Sequence, residues 1–388
     1  MPFFAACSTQ TDTTRAARAI IDQCHTSWQG EADLVLLFWS PHHREEIAAA
    51  ATAVQDAVPA RCQLGCPGET VIADDREIED GPALCVWLAR WSRRVRVTPF
   101  QLDVEQTGEG YSLLGWPDEL AEADPASSLV LTLADPFTFP VETFLNQLNT
   151  EKPGLPIAGG MASGASQPGE NVLLLGGAAV PTGAVNVLLQ GELGYRAVVS
   201  QGCRPLGKPL VITRAQDNII LELGGKTPLQ QLQELWLTMT PRDHALVQKG
   251  LMIGRAVSEY RDTFRRGDFL VRHLIGMDEN TGAVAVGDHV RVGQTVQFHV
   301  RDAETADEDL RLLLEAARPQ VGKPGGLLFS CNGRGTRLFS AADHDARAVR
   351  GALGRIPLAG FFAQGELGPV GGQNFIHGFT ASLVLFND

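Results

Sequence analysis

No apolar run in the chain approaches the roughly 18 residues needed to span a bilayer, and the opening stretch, MPFFAACSTQTDTTRAARAI, has no cationic leader ahead of its polar positions. A cytoplasmic protein without a membrane partner is the expectation. Cysteine is sparse and odd in number, with seven thiols at positions 7, 24, 62, 66, 85, 203 and 331. That excludes a disulfide-stapled secreted framework and makes reduced thiols the default. Cys62 and Cys66 have no second pair or nearby histidine to complete a zinc set; no metal site is expected, and most of the seven read as small core residues. Basic residues are few, 32 against 45 acidic ones, and the net charge of -13 argues against nucleic acid or an anionic membrane as partner. Aromatic residues are only 7 per cent, so a haem or flavin pocket would draw its walls from Leu, Val and Phe. What remains is an ordinary globular composition, 44 per cent hydrophobic and 20 per cent charged, in a 388-residue chain long enough for two or three domains.

Helical spacing of Ala16, Ala17, Ile20, Ile21 and Cys24 behind a Thr/Asp cap predicts a first helix over 12–24. DLVLLFWSP at 33–41 then reads as a buried strand, with Ser40-Pro41 capping an Ala-rich helix over 42–57. The glycine-bearing CQLGCPGETV reads as a loop, and ALCVWLAR at 83–90 as the next strand. The same four parts return as SLVLTLADP, VETFLNQLN, PIAGGMASG and AVNVLLQG, and a third time as GGLLFSCNGRG, HDARAVRGALG, PLAGFFAQGELG and TASLVLF. Each first run starts about 30 residues before its loop glycine, Gly65, Gly159 or Gly360, which is one strand-helix unit per copy. The fold class this predicts is α/β, with mixed sheets built from repeated strand-helix-loop-strand units in two domains.

Between the second and third copies the pattern differs. CRPLGKPLVITRAQDNIILELGG reads as short strands, PLQQLQELW and DHALVQKGLM as helices, and FLVRHLIGMDENTGAVAV as a hairpin. In QTVQFHVRD, Val296, Phe298 and Val300 alternate with Gln297, His299 and Arg301, which predicts one buried and one polar face. A boundary is expected near 205–225, dividing the chain into a helical extension at 1–32 and domains at 33–220 and 221–388.

Several catalytic signatures fail when tested. GGKT at 224–227 lacks the first glycine of a phosphate loop, since Ile220 stands there; it reads as a strand end and helix cap. GRGTRL places Leu338 where a dinucleotide loop needs its third glycine. There is no G-x-S-x-G elbow, and HHREE at 42–46 has the wrong histidine spacing for a zinc protease, its two histidines being expected on an exposed turn.

Chemistry concentrates near the C-terminus. Gly360, Gly365, Gly368, Gly371 and Gly372 strip side chains from a short stretch, letting something approach the backbone closely. Glu366 stands among them, where its carboxylate would accept hydrogen bonds from a ligand amine or from its own loop. His377 sits at a strand entry, and Cys331 and Arg334 fall at the C-terminal end of a buried strand, the edge at which open α/β sheets bind ligands. Arginine there suits a carboxylate or phosphate, or else is a surface charge. Arg204 and Arg301 are weaker candidates for the same role.

These residues carry a resemblance. GCRPLGKPLVITRAQDNIILELGGKTPLQQLQEL, GQTVQFHVRDA, LLFSCNGRG and above all PLAGFFAQGELGP followed by IHGFTASLVLF resemble the FIST family, with LGCPGE as the marker in the N-terminal half. The resemblance implies a small-ligand-binding signal transduction module with an N-terminal and a C-terminal FIST domain. FIST modules are often fused to kinase, cyclase or chemoreceptor parts, and some bacterial members look like haem-based nitric oxide sensors. No output domain follows the last strand in this sequence, so the signal is expected to leave through a separate partner protein. The resulting expectation is a non-enzymatic sensor whose cleft, where Gly-rich loops of both domains meet, binds a small polar ligand such as an amino acid. Cys331, Arg334, Gly360, Gly365, Glu366 and His377 would line it, with Arg204 or Arg301. Two alternatives stay open: a Cys-His hydrolase or transferase using Cys331, His377 and Glu366, and a haem sensor with His377 or His299 as iron ligand.

Overall fold

In the computed structural model, which describes residues 1–108, 110–259, 263, 264, 266–319 and 322–388, the three apolar runs lie inside three mixed sheets of an α/β fold. Ala32–Trp39, Ser128–Ala134 and Gly325–Cys331 are buried along nearly their whole length. Burial on both faces is why they read as unbroken hydrophobic runs. Each leads through a helix, Ile47–Ala57, Val141–Glu151 or His344–Leu353, into a second strand parallel to the first. An antiparallel strand, Leu84–Ala89, Ala184–Gly191 or Thr380–Asn387, covers the other side.

The second strands correct the sequence reading. Ala60–Pro67, Ile157–Met161 and Leu358–Ala363 occupy the segments expected to be glycine-rich loops. The glycines are there for lack of room. A Cβ on Gly159 would stand 1.9 Å from the Thr132 carbonyl oxygen, one on Gly360 1.8 Å from that of Leu328, and one on Gly65 2.7 Å from the Trp39 ring. Glycine inside a strand marks close approach as readily as it marks a turn.

Each copy then gives a hairpin to another. Val71–Ala73 and Arg76–Ile78, from the first copy, extend the third sheet beside Leu358–Ala363. Leu173–Leu175 and Ala178–Val180, from the second, extend the first sheet beside Ala60–Pro67. Glu366–Val370 and Gln373–His377, from the third, extend the second sheet beside Ile157–Met161. The same three glycines receive the incoming strands: Gly360 faces Ile72, Gly65 faces Leu174 and Gly159 faces Leu367. The repeat is one of topology, and each copy covers a sheet edge that another copy leaves open. The apolar faces meet in a shared core where Phe38 and Phe329 pack against Phe361 at ring separations of 5.5 and 5.6 Å. Burying each such ring contributes about 1.5–3 kcal/mol.

Two local readings also change. The first 32 residues hold a strand, Phe3–Ser8, paired with Leu84–Ala89, ahead of the helix Thr13–Ser27, whose Asp12 cap accepts from the Arg15 amide at 2.8 Å. The helix after Ser40 begins as a 3-10 turn, Pro41–Glu46, and His43 within it is fully buried, its Nδ1 3.0 Å from Thr13 Oγ1, rather than exposed.

The chain divides into two compact units. One contains Met1–Val199, Leu310–Ile376 and Thr380–Asp388, and so all three copies; the other contains Ser200–Asp309 with His377–Phe379. Ile220 and Leu221, on either side of the division read from sequence, both lie in the second unit. That unit is a closed barrel in the order Cys203–Gln216, Ile219–Leu223, Val284–Val286, Phe269–Met277, Leu251–Ala256 and Thr295–Arg301. Helix Pro228–Trp236 falls where expected, helix Pro241–Lys249 stops short of Leu251 and Met252, which open a strand instead, and Thr227 of GGKT is a capping-box residue. Closure buries the face of Thr295–Arg301 that alternation had marked as polar: Gln297 and His299 are both buried. Burial pushes the His299 pKa down to about 4, so the ring is neutral near pH 7. Among the described residues, no helix is long and apolar enough to cross a membrane.

Candidate functional site

Where the strand Gly325–Cys331 ends, Gly335 adopts φ +58°, and a Cβ there would lie 2.7 Å from both Glu79 Oε1 and the Phe362 ring. Only glycine fits there, directly after Arg334. The Arg334 side chain is fully buried, which removes the surface-charge alternative. Its Nε and Nη2 donate to Asp345 Oδ2 and Oδ1 at 2.6 and 2.7 Å, a bidentate charge-assisted pair. Ser330 Oγ donates to Oδ2 at 2.5 Å, and His344 Nδ1 lies 2.9 Å from Oδ1. Phe339 stacks on the His344 ring at 3.4 Å, and the Arg334 Cζ lies over the Phe339 ring at 5.2 Å from its centre. Asp345 sits in the first turn of His344–Leu353, where a helix favours negative charge. Burial alone would raise its pKa, yet the Arg334 charge and these hydrogen bonds hold it well below the usual carboxylate range.

Arg334 Nη1 is buried and has no hydrogen-bond partner. Glu366, at the start of the exchanged strand Glu366–Val370, is likewise fully buried. Its Oε2 accepts from the amide and hydroxyl of Thr380 at 3.1 and 2.7 Å, while Oε1 is without a partner. Burial pushes the Glu366 pKa up to about 8, against the hydrogen bonds from Thr380, the charge of Arg334 and a hydrogen bond from the Cys331 thiol. Glu77, on the hairpin from the first copy, accepts from the Ala346 amide at 2.9 Å through Oε1 and leaves Oε2 unpartnered. Burial and then the nearby Asp345 charge raise it to about 8 as well. Asn332 Oδ1 is a fourth buried atom with nothing to bond. Most buried polar groups in proteins are paired; these four atoms are not.

Cys331 is half-buried at that strand end, and its sulfur accepts from the Gly333 amide at 3.4 Å. It is close enough to Arg334, Arg337 and Glu366 to act on the titration of all three. The structure thus gathers Cys331, Arg334 and Glu366 in one unit. Gly360 serves the sheet, and Gly365, at φ +151° with Ile376 Cδ1 2.6 Å from where a Cβ would be, admits the exchanged hairpin. The remaining candidates belong to the second unit. Arg204 is engaged by Asp302 at 2.9 Å and Asp243 at 2.5 Å, Arg301 lies over the Phe379 ring at 5.4 Å, and His377 is buried. Cavities of about 590 and 270 Å³ lie elsewhere in the first unit, and none of the eight expected residues lines either.

Sequence reasoning did not find Asp345, Glu77 or Thr380. An aspartate in the first turn of the helix after GRG was the one visible signal for the first of them. Glu77 had none, because it arrives on a hairpin from 269 residues away in sequence from its partner Ala346.

Fold and site together define an α/β protein of three interlocked strand-helix-strand copies, a barrel unit, and a buried arginine-carboxylate cluster at a strand end. The chain belongs to the FIST family: the FIST N domain matches residues 33–226 and the FIST C domain residues 228–369. FIST domains are associated with signal transduction sensing. The chain is 42 per cent identical over 384 residues to an uncharacterized protein of Mycobacterium tuberculosis (strain CDC 1551 / Oshkosh), covering 98 per cent of each chain. It is 43 per cent identical over 383 residues to an uncharacterized protein of Mycobacterium bovis (strain ATCC BAA-935 / AF2122/97), covering 98 per cent of this chain and 97 per cent of that one.

Proposed function

We propose that this chain is a non-enzymatic cytoplasmic sensor that binds a small polar ligand at the Arg334–Glu366 cluster and passes its state to a separate signalling partner. The observation that supports it is a buried guanidinium and a buried carboxyl that each keep one unpartnered atom, Arg334 Nη1 and Glu366 Oε1. A free amino acid matches that pair. Its carboxylate would accept from Nη1, and its ammonium would donate to Oε1 while displacing the proton that Glu366 holds near neutral pH. Desolvated contacts of this kind favour a zwitterion over an anion or a cation alone, since either of those would leave one buried group unsatisfied.

Isothermal titration of the full chain with a panel of amino acids at pH 7 tests this. Binding by at least one member is expected, with a heat that depends on the buffer's ionisation enthalpy because a proton is released. Glu366→Gln is expected to weaken it by about 10-fold or more, as loss of a charged hydrogen bond does. Silence across the panel, with no shift in melting temperature, would overturn the reading.

A further inference from the structure

Strands Phe3–Ser8 and Leu84–Ala89 set Cys7 directly opposite Cys85. Opposed residues on antiparallel strands project to the same side of the sheet with Cα atoms about 4.5–5.5 Å apart, inside the window of about 4.4–6.8 Å that a disulfide accepts. In the same row Cys66 pairs with Phe38, which separates it from Cys85. Access to the two thiols differs. Cys7 is half-buried and borders the cavity of about 270 Å³, with Thr9, Gln23, Asp74 and Arg76 among its other walls. Cys85 is fully buried. The Cys85 thiol and the Arg76 charge draw the Cys7 pKa below its ordinary value against the effect of burial, while Cys7 and burial raise that of Cys85. The accessible sulfur is therefore the more readily ionised, the order a peroxide-reactive pair requires.

We propose that Cys7 and Cys85 form a redox pair in which a small hydroperoxide entering this cavity is reduced and a cross-strand disulfide results. The Cys7 thiolate attacks the terminal peroxide oxygen; the S–O bond forms, the O–O bond breaks, and the alkoxide or hydroxide leaves with the proton given up by Cys7. The sulfenic acid so made is attacked by Cys85 sulfur. The S–S bond forms, the S–O bond breaks, and hydroxide departs with the Cys85 proton as water. Two thiols and one hydroperoxide become one disulfide, one alcohol or water, and one further water. A dithiol reductant reverses the change by exchange. The disulfide pins the edge strand Phe3–Ser8 to its neighbour, and it is independent of the Arg334–Glu366 cluster.

The test is peptide mapping of the reduced full-length chain after treatment with hydrogen peroxide under native conditions, followed by alkylation and digestion without reductant. A Cys7–Cys85 linked peptide lighter by two hydrogens is expected, with the free-thiol count falling from seven to five and returning on addition of dithiothreitol. Cys85→Ser is expected to stop at a sulfenic acid on Cys7 that dimedone captures. The mapping needs no variant, so a poorly folding substitution leaves it intact. Oxidation confined to Cys331, a link from Cys7 to any other cysteine, a Cys7–Cys85 link seen only after denaturation, or no reaction at all would each overturn the proposal.

Discussion

Arg334 spends Nε and Nη2 on the two oxygens of Asp345, at 2.6 and 2.7 Å, and holds Nη1 in a buried position with no partner. The bidentate clamp fixes the guanidinium plane, so the free nitrogen has a defined direction for the ligand proposed above. Preorganisation of that kind lowers the ordering cost of binding. Two charges are held out of water to achieve it, and their mutual attraction offsets the desolvation only while both are present.

Removing one member of the pair is therefore costly. Asp345→Asn leaves a buried guanidinium without its counter-charge, and a loss of about 3–5 kcal/mol is expected, read from the urea midpoint at constant slope. Ser330→Ala, which removes one supporting hydrogen bond, is expected to cost about 1 kcal/mol.

Stability should fall as the pH rises across the range where Glu366 ionises. Its folded pKa of about 8 lies above the ordinary value of 4.5, so between these the folded state binds more protons than the unfolded one. Its contribution is complete below about 4.5 and is lost as pH rises through about 8. Glu77 acts in the same direction. Melting temperature against pH should thus decline across this window in the free protein, and Glu366→Gln should flatten part of the decline. A profile that Glu366→Gln leaves unchanged would count against a protonated Glu366.

Two glycine substitutions should have opposite signs. Gly360→Ala places a Cβ 1.8 Å from the Leu328 carbonyl oxygen at φ +155°, forcing the parallel pair apart and costing more than about 1 kcal/mol. Gly351→Ala, exposed in the helix His344–Leu353 with no atom within 4 Å of the new carbon, should stabilise by about 0.5–1 kcal/mol. Thermal unfolding of the two variants beside the parent checks both.

The strands that seed each copy were legible because a strand covered on both faces must be apolar throughout, as Ala32–Trp39 and Ser128–Ala134 are. The glycines were legible as a recurrence but misread as loops, since the letter is the same whether the backbone turns or a neighbour's carbonyl presses against it. Arg334 and Glu366 were visible as charges set in an apolar, glycine-rich context. Their partners were not, because Asp345 is brought round by a turn at Gly335 and Glu77 comes in on another copy's hairpin.

Composition, charge and the apolar strand and helix that open each copy are local matters, and the sequence alone determined them: each follows from what a segment must bury or expose. Which hairpin completes which sheet, and which nitrogen or oxygen is left without a partner, only the tertiary structure decided. Register between strands distant in sequence is set by the mutual fit of whole sheets. The protonation of Glu366 depends on burial and on neighbouring charges that no single stretch of sequence contains.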